Sequence, residues 1–378
     1  MPPTSKIKLV ISDFHLSRGK WLANGRRNPL EDFHQDDRFE EFLNFYSTGE
    51  YENSEVELIV NGDFFDPLAV IPLPGPNGKF PKMEYPQEVE ESAAVEKIST
   101  ILDGHPISVQ GLKNFLARGK KIVFRWGNHD AALLWPAVQK LLRQRLAPPQ
   151  ENQIEFQQRP YVFDRICVDH GHQYETLNHF DENHIFIERK TPQGTKRIQN
   201  LPFGSFFVMG FLNRVKLQRS YINLVQPLRL YIRLSLLLEP MFFFVHGFLA
   251  GWFFIKMRFI THPMRFARLK KTLMLIFEAF RRVSLEDTAE AMFQSHAGMV
   301  SNFDTIIMGH NHQATVRVFP GGKQYINTGT WIPITSLDMN TLGHRILRTY
   351  ALIEYIDGKP RASLKIWHGE PHLTDDFA

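Results

Sequence analysis

Five short apolar runs along the chain end alike, each giving way to a cluster of Asp, Asn, His and Gly. Ile7–Ile11 (IKLVI) runs into Ser12-Asp13-Phe14-His15, and Val56–Val60 (VELIV) into Asn61-Gly62-Asp63-Phe64-Phe65-Asp66. Lys121–Trp126 (KIVFRW) leads to Gly127-Asn128-His129-Asp130, Arg165–Val168 (RICV) to Asp169-His170-Gly171-His172, and Thr305–Met308 (TIIM) to Gly309-His310-Asn311-His312. Short, β-branched-rich runs stopped by turn residues predict buried strands. Helical spacing lies between them. Asp37–Tyr46 has apolar residues at 39, 42, 43 and 46, and Ile107–Ala117 precedes the third strand. Leu285–Met299 precedes the fifth, with Ser284 as N-cap and Asp287 three residues on. Gln324–Trp331, Tyr350–Tyr355 and Ala362–Trp367 predict further strands, the last two joined at Asp357-Gly358. The alternation predicts an α/β fold. In such folds ligands bind beyond the carboxyl ends of the strands, where all five polar clusters fall.

Two interruptions shape the expected organisation. Ile71–Pro86 carries five prolines in 16 residues and reads as a loop. Residues 176–282 form a long insertion between the fourth and fifth strands. The expectation is a catalytic core of 1–175 and 283–378, with a loop at 71–86 and a mainly helical cap at 176–282.

Composition sharpens the view of that cap. At 43% hydrophobic and 22% charged residues, the chain is neither disordered nor a small disulfide-stapled fold. Its formal charge is +4, yet Leu201–Arg282 holds 13 Lys/Arg against two acids, a net of +11 that leaves the remainder at −7. The same segment carries 14 of the 32 Phe. Cationic and Phe-rich together, it suits an anionic lipid surface. Leu234–Ile255 is an apolar run of 22 residues with Glu239 its one formal charge. The insertion must return to the sheet it left, and Pro240, Gly247 and Gly251 suggest bending, so a monotopic cap is expected and not a span. A helix starting at Thr261-His262-Pro263 would place Phe266, Leu269, Leu273, Phe277 and Phe280 beside Arg265, Arg268 and Lys271 in the interface. Arg214, Lys216, Arg219, Arg229 and Arg233 flank a similar segment. The alternative is a subdomain burying its own Phe core, or a subunit contact; oligomeric state stays open. Cys167 is the one cysteine, and the opening residues pass directly into a strand-like run. The expected location is the cytoplasm, peripherally on the inner face of the membrane.

The strand-end clusters collect Asp13, His15, Asp63, Asn128, His170, His310 and His312. This oxygen and nitrogen set without thiolate suits Mn, Fe or Zn better than Ca or a Cys-type zinc site. Seven donors exceed one ion and suit two sharing a carboxylate. Such a pair polarises a water and clamps the oxygens of a displacement at phosphorus. Arg18, just beyond the first pair, is a candidate phosphate contact.

The motifs D-x-H, G-D-x-x-D, G-N-H-D, H-G-H and G-H-x-H occur in this order between residues 13 and 312, followed by NTGTW. In these the chain resembles the calcineurin-like metallophosphoesterase superfamily. The resemblance implies a four-layer α/β/β/α sandwich here carrying a large, mainly helical, apolar and basic insertion. It implies one divalent ion on Asp13, His15, Asp63 and His312, and another on Asp63, Asn128, His170 and His310, manganese first and iron or zinc next. Asn128 and His129 would meet the phosphoryl group, His129 would protonate the leaving oxygen, and Asp66 would orient His129. His170 is the implied ligand of DHGH; His172 would contact substrate or support the ligands. His105, His179, His184, His246 and His296 match no motif and read as structural. The ISD-x-HLS opening and helical insert also resemble UDP-2,3-diacylglucosamine pyrophosphohydrolases of lipid A synthesis. That family has Arg where His129 stands and HGD where this chain has HGH, so the expectation is broader: hydrolysis of a lipid-linked phosphoester or pyrophosphate at a membrane surface. The alternatives are a nuclease, a phosphatase of soluble substrates, or a non-catalytic scaffold. Nucleic acid is disfavoured because FFF (242–244) and WFF (252–254) are apolar blocks, not aromatics interleaved with basic residues. A scaffold would be expected to have lost ligands.

Overall fold

Alternation within the strands decides how the layers stack, because successive side chains leave opposite faces. In β1 (Lys6–Ile11), Leu9 and Ile11 face one way and Val10 the other. β2 (Glu55–Asn61) divides Leu58 and Val60 from Ile59, and β3 (Lys121–Arg125) divides Ile122 and Phe124 from Val123. A computed structural model describes residues 6–72, 89–147, 151–191, 194–257, 284–294, 303–339 and 342–369. In it β1, β2, β3 and β4 (Ile154–Gln157) run parallel. β15 (Thr349–Ile356) and β16 (Lys359–Ile366) extend the sheet antiparallel on the β1 side. A second, five-stranded sheet has β6 (Ile166–Val168), β10 (Thr305–Met308) and β12 (Lys323–Asn327) parallel, edged by β5 (Tyr161–Phe163) and β11 (Thr315–Phe319).

The Val10–Ile59–Val123 face packs on Ile166, Val168, Ile307 and Ile326, so one core lies between the sheets. The opposite face, with Leu9, Leu58 and Ile122, shares a second core with α1 (Asp36–Phe45), α2 (Glu91–Gly104), α3 (Pro106–Ala117) and α4 (Pro136–Leu146). Beyond the second sheet, the helix Leu285–Gln294 sets Leu285, Ala289 and Phe293, spaced by four, on Ile306, Met308 and Tyr325. The Ser284 hydroxyl accepts the Asp287 amide at 3.2 Å, the expected cap. Four layers result, helix, sheet, sheet and helix. Strands covered on both faces read as unbroken apolar runs, which is why five of them stand out in the sequence.

Between β6 and β10 the chain forms the hairpin β7 (Phe186–Thr191) and β8 (Gly194–Gln199), then α5 (Phe203–Phe207), a π-helical turn and α6 (Asn213–Lys216). Phe180, Ile198, Leu201, Phe206, Met209 and Leu224 join the main core. β9 (Val225–Gln226) then pairs with β13 (Ile334–Ser336), which also pairs with β14 (Gly343–Arg345). The apolar run 234–255 is split at Glu239-Pro240 into α7 (Leu228–Leu238) and α8 (Pro240–Ile255). Proline at the first helical position starts a helix but cannot continue one. Among the described residues no helix is long and apolar enough to cross a membrane.

Three expectations need correction, and three fall outside the described residues. The strand expected over Gln324–Trp331 ends at Asn327, because Thr328–Trp331 turns away to brace the site. Lys216, expected at a lipid interface, is buried and paired with Asp32 at 2.6 Å. Arg219 pairs with Glu239 and lies over the Phe242 ring. The loop from 73 to 86, residues 295–299 and the helix expected from Thr261 lie outside the described residues.

Candidate metal centre

Four of the five strand-end loops converge through backbone hydrogen bonds before any side chain is considered. The amides of Asp13 and His15 donate to the carbonyls of Gly62 and Asp63, at 3.1 and 2.9 Å, so the first two loops run side by side. Gly309 donates to the carbonyl of His170 at 3.1 Å, joining the fourth loop to the fifth. Asp13, His15, Asp63, His310 and His312 all have φ between 52° and 71°. Left-handed backbone is uncommon outside glycine and costs of order 1–3 kcal/mol per residue. Five such residues in one cluster mark it as a site held by the surrounding fold. The glycines of the motifs make room for it. A Cβ on Gly127 would sit 2.2 Å from Oδ1 of Asp63, and one on Gly309 would sit 2.4 Å from Oδ2 of Asp13.

The side chains form three overlapping groups: Asp13, His15 and His312; His15, Asp63 and His129; and Asp63, His170 and His310. Nε2 of His15 lies 3.0 Å from Nε2 of His312, which is 3.4 Å from Oδ1 of Asp13. Oδ2 of Asp63 stands between the two sides, 3.9 Å from Nε2 of His15 and 3.3 Å from Nε2 of His170. Its Oδ1 accepts the His129 amide at 2.8 Å. One carboxylate therefore faces both halves of the cluster.

The residues fit divalent cations by their unfinished hydrogen bonding. Oδ1 of Asn128 and Nε2 of His170 are buried without a hydrogen-bond partner, and buried polar atoms are rarely left so. Nδ1 of His170 donates to the Asn61 carbonyl at 2.8 Å, which leaves Nε2, facing Asp63, as the nitrogen for an ion. His310 offers the reverse arrangement. Its Nε2 is 2.7 Å from Oε2 of Glu175, so Nδ1 is the nitrogen left for an ion.

Electrostatics follow the geometry. Burial would raise Asp63, but the charges of His170 and His129 hold it well below the usual carboxylate range. Asp13 is also lowered, by His170 and His312 against burial. Burial works against His170 too, yet Asp63 and Asp13 push it up to about 9. His15 is lowered, by burial and by the neighbouring His129. His129 is raised to about 9 because Asp66 and Asp63 outweigh burial. Its Nδ1 lies 3.0 Å from Oδ1 of Asp66, while Oδ2 of Asp66 is 3.6 Å from Nδ1 of His15.

His172 and Arg18 stand elsewhere. His172 is fully buried against Trp126 and Phe180, and burial with the charge of His170 keeps it well below the usual histidine value. Its ring packs beside His170 and His310, with centroids 5.4 and 6.5 Å away, a position from which it supports those two side chains. Arg18 donates to the Ile71 carbonyl at 3.2 Å and lines a cavity with Glu90, Lys97 and Lys196 that none of the cluster residues lines. His105 is structural, held by Asp36 at 2.9 Å and Glu31 at 3.0 Å.

Several further residues support the cluster. Glu175 is one. Asp130 accepts the amides of Gly127 and Phe64, at 2.6 and 3.0 Å, tying the second loop to the third, and burial beside Asp63 raises it to about 7. Asp169 pairs with the buried Arg125 beneath the site and accepts the Tyr174 hydroxyl. After β12, Asn327 donates to the Gly309 carbonyl, Thr330 donates to the Asp13 carbonyl, and Trp331 stacks on Phe14 at 4.8 Å. NTGTW thus braces the first and fifth loops from behind.

No family model matches the sequence, and no curated protein matches it. Among solved structures, the chain is similar to a calcineurin-like phosphoesterase, YfkN, from Bacillus subtilis: 12% identity, 97% of this chain and 91% of that one covered, TM-score 0.33. It is similar to a dimetal phosphatase from Danio rerio at 10% identity, with 94% and 98% covered and a TM-score of 0.32. It is also similar to zinc-complexed Vps29 from Entamoeba histolytica at 11% identity, with 96% and 99% covered and a TM-score of 0.23.

Proposed function

We propose that this chain is a dinuclear metal-dependent phosphoesterase of the calcineurin-like kind, acting on a lipid-linked phosphoester at an anionic membrane surface. The observation that carries the hydrolytic reading is Oδ2 of Asp63, set between His15 and His170 with Oδ1 of Asn128 unpartnered beside them. Asp13, His15, Asp63 and His312 would hold one divalent ion, and Asp63, Asn128, His170 and His310 the other. Manganese is the first candidate for both. Bound there, such ions supply Lewis-acid polarisation of the phosphoryl oxygens and of the attacking water. The chain's own groups do the rest. The carboxylates of Asp66 and Asp63 favour the protonated form of His129, and Oδ1 of Asp66, 3.0 Å from its Nδ1, can orient the ring. Water adds to phosphorus opposite the leaving oxygen and the bond from phosphorus to that oxygen breaks. The freed oxygen takes the proton from Nε2 of His129. Asn128 lies one residue away and can share the phosphoryl contact.

The membrane reading is supported by α7 and α8. Leu237, Met241, Phe244 and Phe248 are 76%, 74%, 62% and 74% exposed, and Leu238 and Trp252 join them. Contiguous exposed apolar surface on a soluble domain marks an interaction site. The net charge of +11 carried by residues 201–282 in the sequence favours an anionic lipid surface, on the inner face of the membrane. The test is sedimentation with vesicles of graded anionic content at low and high salt, run beside hydrolysis of lipid and soluble phosphoesters. Salt-sensitive binding with a salt-resistant remainder, and faster lipid turnover, are expected. Indifference to vesicles with equal turnover of both substrates removes the membrane reading and leaves the hydrolytic one.

A further inference from the structure

A cavity of about 210 Å³ opens directly beside the metal cluster, sharing His312 with it. Its wall is made where the insertion meets the core. Gln226 comes from β9, whose backbone is held against β13 by the Leu337 amide donating to the Gln226 carbonyl at 2.7 Å. Gln313 adjoins His312, and its side-chain amide lies 3.4 Å from that of Gln226. Arg345 comes from β14, in register with Ile334 on β13. Ile332, Ile334 and Leu347 supply the apolar lining. The cavity is therefore lined by amide side chains and one guanidinium, with no carboxylate among its lining residues.

The charge is the informative part. Arg345 is exposed and, among the described residues, has no acidic partner. Arg165 pairs with Asp304 and Arg317 with Glu286, whereas Arg345 is set apart by the cavity it lines. An arginine without a carboxylate, at the mouth of a cavity that borders a metal-cluster histidine, complements an anion brought by something else. The cavity is too small for a whole lipid or nucleotide and suits one phosphoryl or carboxylate group with its adjoining atoms.

We infer that the Arg345 cavity binds a second anionic group of the substrate, next to the phosphoryl group held at the cluster. This rests on the phosphoesterase reading of that cluster and narrows its substrate class to molecules with two neighbouring anionic groups. Gln226 and Gln313 donate to the second group's oxygens, and Arg345 supplies the charge. Because Gln226 belongs to the insertion, the same segment that carries the exposed apolar helices also helps select the substrate's polar end.

The experiment uses three probes on the full, manganese-loaded chain: inorganic phosphate, phosphonoacetate and methylenediphosphonate, with dissociation constants from calorimetry. The two bis-anions are expected to bind more tightly than phosphate by about 10-fold or more, the worth of one charge-assisted contact. Arg345→Gln should erase most of that gap, and Arg345→Lys should restore part of it. A gap that survives Arg345→Gln comes from metal chelation and overturns the inference, as does the absence of any gap. Phosphoester hydrolysis measured in parallel separates the two readings. An Arg345-dependent gap without hydrolysis keeps the anion subsite and removes the enzyme; hydrolysis without a gap keeps the enzyme and removes the subsite.

Discussion

The strand-end cluster and the α7–α8 helices invert the ordinary distribution of polarity in opposite directions. At the cluster, Asp13, Asp63, Asn128 and His170 are buried, some with atoms that no hydrogen bond satisfies. On α7 and α8, Leu237, Met241, Phe244 and Phe248 stand in solvent. Burying unpaired polar groups and exposing large apolar ones are both unfavourable in a free chain. Each therefore points to an absent partner: divalent cations for the first and, in the reading proposed above, a lipid surface for the second. The two regions also differ in construction. The cluster is over-determined by the strained loops, Asp130 and NTGTW, whereas the exposed stripe is held from its inner face, where Phe253 and Phe254 meet Phe203 and Arg219 lies over Phe242.

The comparison breaks most visibly at His129. His129→Ala should lower kcat by roughly 10²–10⁴ with metal content preserved, the range for a positioned acid; an unchanged kcat on a substrate with a poor leaving group removes it from the chemistry. Next is Glu175, which faces His310. Glu175→Ala should weaken binding of one of the two ions by about 10- to 100-fold, with Glu175→Gln between it and wild type, as read by metal titration. On the other region, Phe244→Ser with Phe248→Ser should reduce vesicle binding by about 10-fold or more, since each buried Phe contributes roughly 1.5–3 kcal/mol. Metal content should not change, and if it does the two regions are not independent.

An effect on stability alone concerns His105, which lies outside both regions but supports the first. Glu31, its partner, accepts the amides of Ser17 and Gly19 in the loop that follows His15. Asp36 and Glu31 outweigh burial and push His105 up to about 9 in the folded chain, against about 6.5 when unfolded. The protonated form thus favours folding. Its contribution, on the order of 3 kcal/mol, is fully present below about pH 6.5 and is lost as pH rises through 9. Denaturant unfolding of His105→Gln should lack that decline; an identical decline in the variant would assign it to other groups.

Much of this was legible because the relevant features are local. Strands buried on both faces appear as continuous apolar runs, and each ligand pair sits within a few residues of one of them. The resemblance implies that Asp66 orients His129, and the two side chains lie 3.0 Å apart. What could not be read depends on distant packing. Nothing near Lys216 announces Asp32, 184 residues away, and nothing in DHGH tells that His172 turns inward onto Trp126. Glu175 lies in a short turn, and only the arrival of His310 from another strand gives it a role. Short edge strands such as β5, three residues long, and β11, which alternates apolar and polar residues over five, give too short a pattern to stand out from loops.

The central claim is that buried Asp63 serves two cations at once, and metal content tests it most directly. Protein purified without chelator should hold about two divalent ions per chain, and Asp63→Asn should lose both together with phosphoester hydrolysis. A wild-type chain that keeps full hydrolytic activity after exhaustive chelation, or an Asp63→Asn chain that retains both ions, would contradict the account.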